Sequence, residues 1–205
     1  MSKHQVPEEY RRKLPHIQPK DAVYFVTFNL KGALPLNILE LLRDNFKERI
    51  HNLHHNHKIK KEAFENYYNQ INDILDDGEF GPHWLQNHHV AQIVADSFHY
   101  LDHKVFKLIC FCIMSNHVHF IAYKLDKPLH NIMHSLKSYT ANQCNNALKR
   151  QGRFWQREYF DRIVRDRNDL TKKIEYTINN PVKAGIVNHW KKYSFTYCRS
   201  EFIEG

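Results

Sequence analysis

The chain has 205 residues, 42% of them hydrophobic and 13% aromatic, which suits a packed globular protein and excludes a disordered one. Its 30 Lys and Arg outnumber 22 Asp and Glu, a formal charge of +8 that fits a polyanionic partner such as nucleic acid. No apolar run approaches the ~20 residues of a membrane span, and the polar start MSKHQVPEEYRRKLPHIQPK lacks a signal-peptide core, so a cytoplasmic protein with no membrane contact is expected.

In chain order, AVYFVTFNL (22–30) is dense in β-branched and aromatic residues and reads as a strand. Gly32 and Pro35 punctuate it, and LNILELLRDNFKERIHNLHH follows with a helical apolar pattern. HNHKIKKEAFENYYNQINDILDDGEFGP is polar and ends in a Gly-Pro turn, so residues 34–82 read as an exposed helical insertion closed by a loop. NHHVAQIVADSFHYLDHK places Val90, Ile93, Val94 and Phe98 on one helical face. The runs VFKLICFCI and HVHFIAYKL form a strand pair with a turn near Met114–Asn116. A long helix from Pro128 to Arg150 follows, and RFWQREYFDRIVRD ends in a further strand. NDLTKKIEYTINNP offers Asn or Asp as an N-cap, a helical body, and Pro181 as a stop. With no internal repeat and no low-complexity linker, one domain over 1–205 is the simplest organisation. The four cysteines lack zinc-ribbon spacing, and Cys110 and Cys112 read as small core residues.

MSNHVHFI raises the question of function. In a strand, His117 and His119 share one face while Val118 takes the other. Two imidazoles side by side make half of a metal site. Three chemistries that use such a pair lack their companions here. A histidine-triad hydrolase needs a third histidine at Ile121, a cupin needs a glutamate that Phe120–Pro128 does not contain, and a two-histidine phosphoesterase needs a second motif. The His-rich stretches at 51–57 and 83–89 lie in polar segments and read as solvated surface.

A metal held by two histidines with no nearby carboxylate leaves positions open for substrate oxygens, which suits a Lewis acid acting on a phosphodiester. KKIEYTINNPVKAG supplies a nucleophile and a further ligand: Tyr176 and Asn180, four apart on a helix, face the same way. The plainer reading of Tyr176 is a buried aromatic on an amphipathic helix, and spacing alone leaves both open. LKSYTANQCNNALKRQGRFWQREYFDRIVR interleaves cations with aromatics, the combination of a single-strand binder. Its plainer reading is aromatic core beside a solvated charged face.

MSNHVHFI, LKSYTANQCNNAL, FWQREYFDRIVRD and YTINNPVKAGIV, in that order, resemble the REP-associated tyrosine transposases, a branch of the HUH (histidine–hydrophobe–histidine) single-tyrosine transposases. GPHWLQNHHVAQIVADSFHYLD and YFVTFNLKG extend the resemblance to most of residues 20–195. The resemblance implies an α+β, ferredoxin-like (RRM-like) antiparallel sheet with helices packed on one face. It implies His117, His119 and Asn180 as ligands of Mg²⁺ or Mn²⁺ and Tyr176 as nucleophile. It further implies single-stranded DNA with REP-like hairpins as partner, cut and rejoined through a covalent 5′-phosphotyrosine, by a monomer or homodimer. Lys137, Tyr139, Arg153, Trp155, Gln156, Arg162 and Arg165 are the expected nucleic-acid contacts. Ser115 stands where the family often has proline, a turn position that tolerates serine. The competing expectations are a repurposed hairpin binder, a phosphodiesterase in which water attacks, and Tyr159 as rival nucleophile.

Overall fold

A computed structural model describes residues 8–11, 15–18, 22–51 and 57–203. Two short strands, β1 (Glu8–Arg11) and β2 (Pro15–Gln18), pair with each other in a separate hairpin. The main sheet contains β3 (Tyr24–Asn29), β4 (Lys107–Ile113), β5 (His117–Tyr123), β6 (Phe160–Ile163) and β7 (Thr196–Cys198) in the order β6-β3-β5-β4-β7, with every pairing antiparallel. The helices are α1 (Leu36–His51), α2 (His57–Asp77), α3 (His88–Leu101), α4 (Leu129–Ala147) and α5 (Arg167–Lys183). The strand and helix assignments read from the sequence agree with these to within a few residues at each end.

Both faces of this sheet are covered. On one side Phe98 of α3 packs on Phe28, Phe111 and Phe120, and Trp155 lies 4.7 Å from Phe28 while its indole N–H donates to Thr140 of α4. This is the expected ferredoxin-like helix layer. On the other side, Phe25 of β3 meets Tyr68 of α2 and Tyr176 of α5. Double coverage explains why the central strands read as continuous apolar runs rather than as alternations. It also explains why His117 and His119, on the α2/α5 side, are fully buried.

The segment read as an exposed insertion is therefore not exposed along its length. In α2, Tyr67, Tyr68, Ile71, Asn72, Leu75 and Asp76 are all buried, a three-to-four-residue spacing that turns one side of the helix onto the sheet. The abundant Lys, Glu and Asn between them hide that stripe when composition alone is weighed. Most of the His-rich stretch 51–57 lies outside the described residues. In 83–89, His88 and His89 are exposed as expected, and His83 Nδ1 is bonded to Ser115 Oγ at 3.0 Å.

Helix α5 also departs from expectation at its end. Asp166 caps its start by accepting from the Asp169 N–H. Pro181, expected to stop the helix, lies inside it, and Gly185 ends it instead. Ile186 N–H donates to Pro181 O and Gly185 N–H to Val182 O, the paired bonds of a left-handed C-terminal cap, with Gly185 at φ +68°. A proline in the last turn forfeits one helical bond, and the cap closes the turn behind it.

The loop after α2 is locked to the sheet. Leu85 N–H donates to Ser115 O, and Asn116 Nδ2 donates to Phe80 O. Gly81, at φ +80°, touches the loop after β3 so closely that a Cβ would stand 2.3 Å from Gly32 O and 2.4 Å from Ala33 Cα. Gly81→Ala is expected to destabilise the protein by about 2 kcal/mol or more, because both the dihedral and the space exclude a side chain. A melting temperature unchanged in differential scanning calorimetry would show that this junction yields without cost.

Candidate active site

The site is built on a polar strip inside an otherwise apolar sandwich. Thr27 and Asn29 of β3 stand opposite His119 and His117 of β5, so four buried polar side chains share the face beneath α2 and α5. Thr27, His119 and His117 are tied to neighbouring side chains, whereas Asn29 Nδ2 donates to Leu30 O and its Oδ1 has no partner among the described residues. Thr27 Oγ1 lies 2.8 Å from His119 Nδ1 and 2.7 Å from the Tyr68 hydroxyl. His117 Nδ1 lies 2.7 Å from Asn116 Oδ1, and Asn116 Nδ2 is engaged by Phe80 O. That second bond orients the Asn116 amide with its oxygen toward the ring, so His117 Nδ1 carries the proton and donates.

With Nδ1 committed, the Nε2 lone pair of a neutral His117 faces inward. There it meets His119 Nε2 at 3.0 Å and Asp76 Oδ1 at 3.2 Å, while His119 Nε2 stands 3.5 Å from the same carboxylate oxygen. Acceptors facing acceptors in a buried space repel unless a proton or a cation is held between them. The ligand atoms of Asp76, His117 and His119 all lie within 4.8 Å of one another, so this buried group could hold a metal ion.

Helix α5 completes the cluster. The Tyr176 hydroxyl donates to Asp76 Oδ2 at 2.8 Å, Asn180 Nδ2 donates to Asp76 Oδ1 at 2.9 Å, and Lys183 Nζ lies 3.3 Å from Asp76 Oδ2. Positions 176, 180 and 183 fall on one side of the helix, and one carboxylate collects all three. Asn180 Oδ1 is buried and has no hydrogen-bond partner among the described residues, which leaves an amide oxygen free as a ligand. The Tyr176 ring stands 5.3 Å from the His119 ring.

Electrostatics set protonation in the cluster. Burial pushes His119 down from 6.5 to about 4, against a hydrogen bond to Asp76 that favours its charged form. Burial alone would raise the Asp76 carboxyl, but its hydrogen bonds and charge interactions with His117 and His119 outweigh that and hold it well below the usual carboxylate range. Burial first, then the Asp76 charge, pushes the Tyr176 phenol far above its usual 10. In this arrangement Tyr176 keeps its proton.

Sequence reasoning found His117, His119, Tyr176 and Asn180, and the structure brings these four together. It missed Asp76, in a helix whose polar composition concealed a buried stripe. It also missed Lys183, which helical phase from Tyr176 could have found had Pro181 not been read as a stop. Tyr159 lies beside α4, with the Lys137 ammonium 5.8 Å from its ring. It is 3% exposed and lines a cleft of about 540 Å³ between α4 and the segment 152–159.

The expected nucleic-acid contacts are dispersed. Arg153 is exposed and Gln156 half-buried, and both line the α4 cleft. Lys137 Nζ donates to the carbonyls of Gln156 at 2.7 Å and Arg157 at 3.0 Å, so it fastens the cleft's far wall. Tyr139 is 59% exposed on the opposite flank of α4, beside Tyr100. Trp155 is 3% exposed and packs in the core, with its N–H satisfied by Thr140. Arg162 lies across the Tyr68 ring at 4.4 Å on the active-site face, and Arg165 is exposed and paired with Asp169 at 3.5 Å.

Because His119 is depressed in the folded protein, the unfolded chain binds its proton first as the solution is acidified. The stability that neutral His119 contributes is therefore present above about 6.5 and lost as pH falls toward about 4. Asp76 acts in the same direction at lower pH, since its folded carboxyl is also depressed. The urea midpoint of chelator-treated protein is expected to fall steadily from pH 7 to 4.5, and less steeply in His119→Gln. A midpoint flat across that range would contradict burial of a neutral imidazole.

Residues 83–180 match the family model described as IS200-like transposase. A putative REP-associated tyrosine transposase of Haemophilus influenzae is 25% identical over 111 residues, 46% of this chain and 61% of that protein, so the match spans less than two thirds of the relative. A solved structure of a REP-associated tyrosine transposase bound to a REP hairpin shares the fold, with a TM-score of 0.52 at 16% identity over 92% of this chain and 81% of that one. Asp76 lies upstream of the family-matched residues, whereas both histidines, Tyr176 and Asn180 lie within them. The segment 83–180, which carries the histidine pair on β5 and the tyrosine on α5, is thus similar to the IS200-like transposases over just under half of the chain.

Proposed function

We propose that this protein cuts and rejoins single-stranded DNA at hairpin-forming repeats, with Tyr176 as nucleophile, the chain acting as one HUH domain. The observation that carries the reading is the meeting of the Tyr176 hydroxyl, both imidazoles and the Asn180 amide on the Asp76 carboxylate. His117, His119 and Asp76 would hold a divalent cation, with Asn180 Oδ1 as a fourth donor. Two imidazoles with two oxygen donors accept Mn²⁺ or Mg²⁺. Such an ion supplies charge neutralisation on the non-bridging oxygens of the phosphate.

The protein's own groups do the rest. Asp76 Oδ2 holds the Tyr176 proton at 2.8 Å and fixes the direction of the phenolic oxygen. That oxygen attacks the phosphorus, the bond from phosphorus to the 3′ oxygen breaks, and the DNA is left with a 3′-hydroxyl and a 5′-phosphotyrosine. Attack by another 3′-hydroxyl reverses the exchange, so the phosphodiester energy is conserved in the protein link. Arg162, Lys173 and Lys183 lie on the side of the sheet from which α5 presents the tyrosine, and they suit a phosphate backbone entering there. Arg153 and Gln156 in the α4 cleft would contact DNA farther from the scissile phosphate. The structure of a relative in complex with a REP hairpin supports a hairpin as the form of DNA bound.

The test uses single-stranded hairpin oligonucleotides from repeats flanking the gene, incubated with Mn²⁺ or Mg²⁺ and resolved on a denaturing gel. A metal-dependent covalent protein–DNA band is expected, retained in Tyr159→Phe and abolished in Tyr176→Phe. Cleavage without an adduct would make water the attacker, and tight binding without cleavage would favour a hairpin-binding role. In calorimetric titration, Asp76→Ala is expected to weaken Mn²⁺ binding by about tenfold or more, as loss of a charged ligand does. Equal affinity in wild type and variant would remove Asp76 from the ligand set.

A further inference from the structure

The α5 side of the sheet carries a second constellation, made of thiols. Cys110 of β4 and Cys198 of β7 are direct cross-strand partners. Arg199 N–H donates to Ile109 O, the pair next along, which makes Cys110 and Cys198 a non-hydrogen-bonded pair. In that pairing α-carbons stand about 4.5 Å apart with side chains turned to the same face. This lies within the span a disulfide bridges, about 4.4–6.8 Å. The two thiols interact with each other and both are free, and Cys198 Sγ donates to Arg199 O at 3.7 Å.

The surroundings distinguish the two sulfurs. Cys110 is fully buried in a central position, whereas Cys198 is 9% exposed on β7, a three-residue strand at the edge of the sheet. Edge position and short length let β7 adjust to a new bond at little cost. The hydrogen bond from Cys110 lowers the Cys198 thiol, which favours its thiolate. Cys112 and Cys144 are placed otherwise. Cys112 Sγ faces Met114 and Thr196, and Cys144 sits between α4 and Val90 of α3.

We propose that Cys110 and Cys198 form a reversible thiol-oxidation site, closed to a disulfide by a hydroperoxide. The Cys198 thiolate takes one oxygen from the peroxide, giving a sulfenic acid and releasing water. The Cys110 thiol then attacks that sulfur, the S–O bond breaks, and a second water leaves as the S–S bond forms. Two thiols are oxidised by two electrons in all, and one hydrogen peroxide is reduced to two waters. The site touches the machinery of the proposed reaction through Thr177, which donates its hydroxyl proton to Lys173 O, interacts with Cys110, and follows Tyr176 directly on α5. Closing the disulfide takes that partner from Thr177. The oxidation itself does not depend on the transposase reading.

The experiment treats the full chain with hydrogen peroxide, quenches it with an alkylating reagent under denaturing conditions, and maps peptides by mass spectrometry. Loss of two of the four thiols, a cross-linked 110–198 peptide pair, and recovery of all four with dithiothreitol are expected. Cys112→Ser should still lose two thiols, and Cys198→Ser should form no intramolecular link. Four thiols surviving in the wild type, a link through Cys112 or Cys144, or oxidation that dithiothreitol does not reverse would each overturn the proposal. Mapping on the wild type decides the matter even where a variant fails to fold.

Discussion

One carboxylate holds the active-site side of this protein together. Asp76 is buried, and a buried carboxylate costs several kcal/mol unless its oxygens are paired. Its partners come from β5 and from α5, while Asp76 itself belongs to α2. The three elements must therefore be seated together for any of them to be satisfied. Removing α2 would leave two imidazoles and an amide facing an apolar space, and removing α5 would leave the carboxylate short of its hydroxyl and amide donors. The chemical site and the packing of this layer are one constraint.

The two faces of the sheet divide the labour. On the α3/α4 side the contacts are aromatic and aliphatic, with Phe28, Phe98, Phe111, Phe120 and Trp155 interlocked. Such a face is stiff because its rings fill space without needing particular partners. On the α2/α5 side a polar strip replaces part of that core, and its two imidazoles are each oriented by a second residue. Asn116 fixes the His117 tautomer, while Thr27 and Tyr68 hold His119. The rings are thus aimed before any ligand arrives, which lowers the cost of binding one.

What could be read from the sequence was whatever local periodicity records. A strand puts His117 and His119 on one face, and a helix puts Tyr176 and Asn180 on one side, so each pair was visible by itself. That the pairs converge was not visible, because the residue joining them lies 100 positions from Tyr176 in a helix dominated by Lys, Asn and Glu. Composition averaged over α2 describes its solvent face, while Tyr68, Ile71, Leu75 and Asp76 describe the other. Trp155 shows the reverse limit. Set among Arg153, Gln156 and Arg157 it resembles a stacking platform, yet burial and the Thr140 bond make it core. Neighbouring charges in sequence say little about which way an aromatic faces once a segment lies across a sheet.

The arrangement also bears on which sign of charge the site receives first. Asp76 lies in the last turn of α2, and Asn180 and Lys183 lie in the last turn of α5, so two helix C-termini meet here. Each carries the partial negative charge of its helix dipole, added to the full charge of Asp76. Asp73 is a further carboxylate on the same flank, 3.8 Å from Lys183. A phosphodiester entering here would meet these carboxylates together with the cations Lys183, Lys173 and Arg162. Helix N-termini, which attract phosphate in many nucleotide sites, are absent from this cluster of described residues. The carboxylates and helix ends beside the two imidazoles therefore favour a cation between them, and such a cation would reduce the negative charge that a phosphate meets there. A cation on Asp76 would also weaken the carboxylate's pull on the Tyr176 proton. In the proposed reaction, cation binding and the readiness of Tyr176 to lose its proton would thus be coupled through the one carboxylate placed where α2 and α5 end.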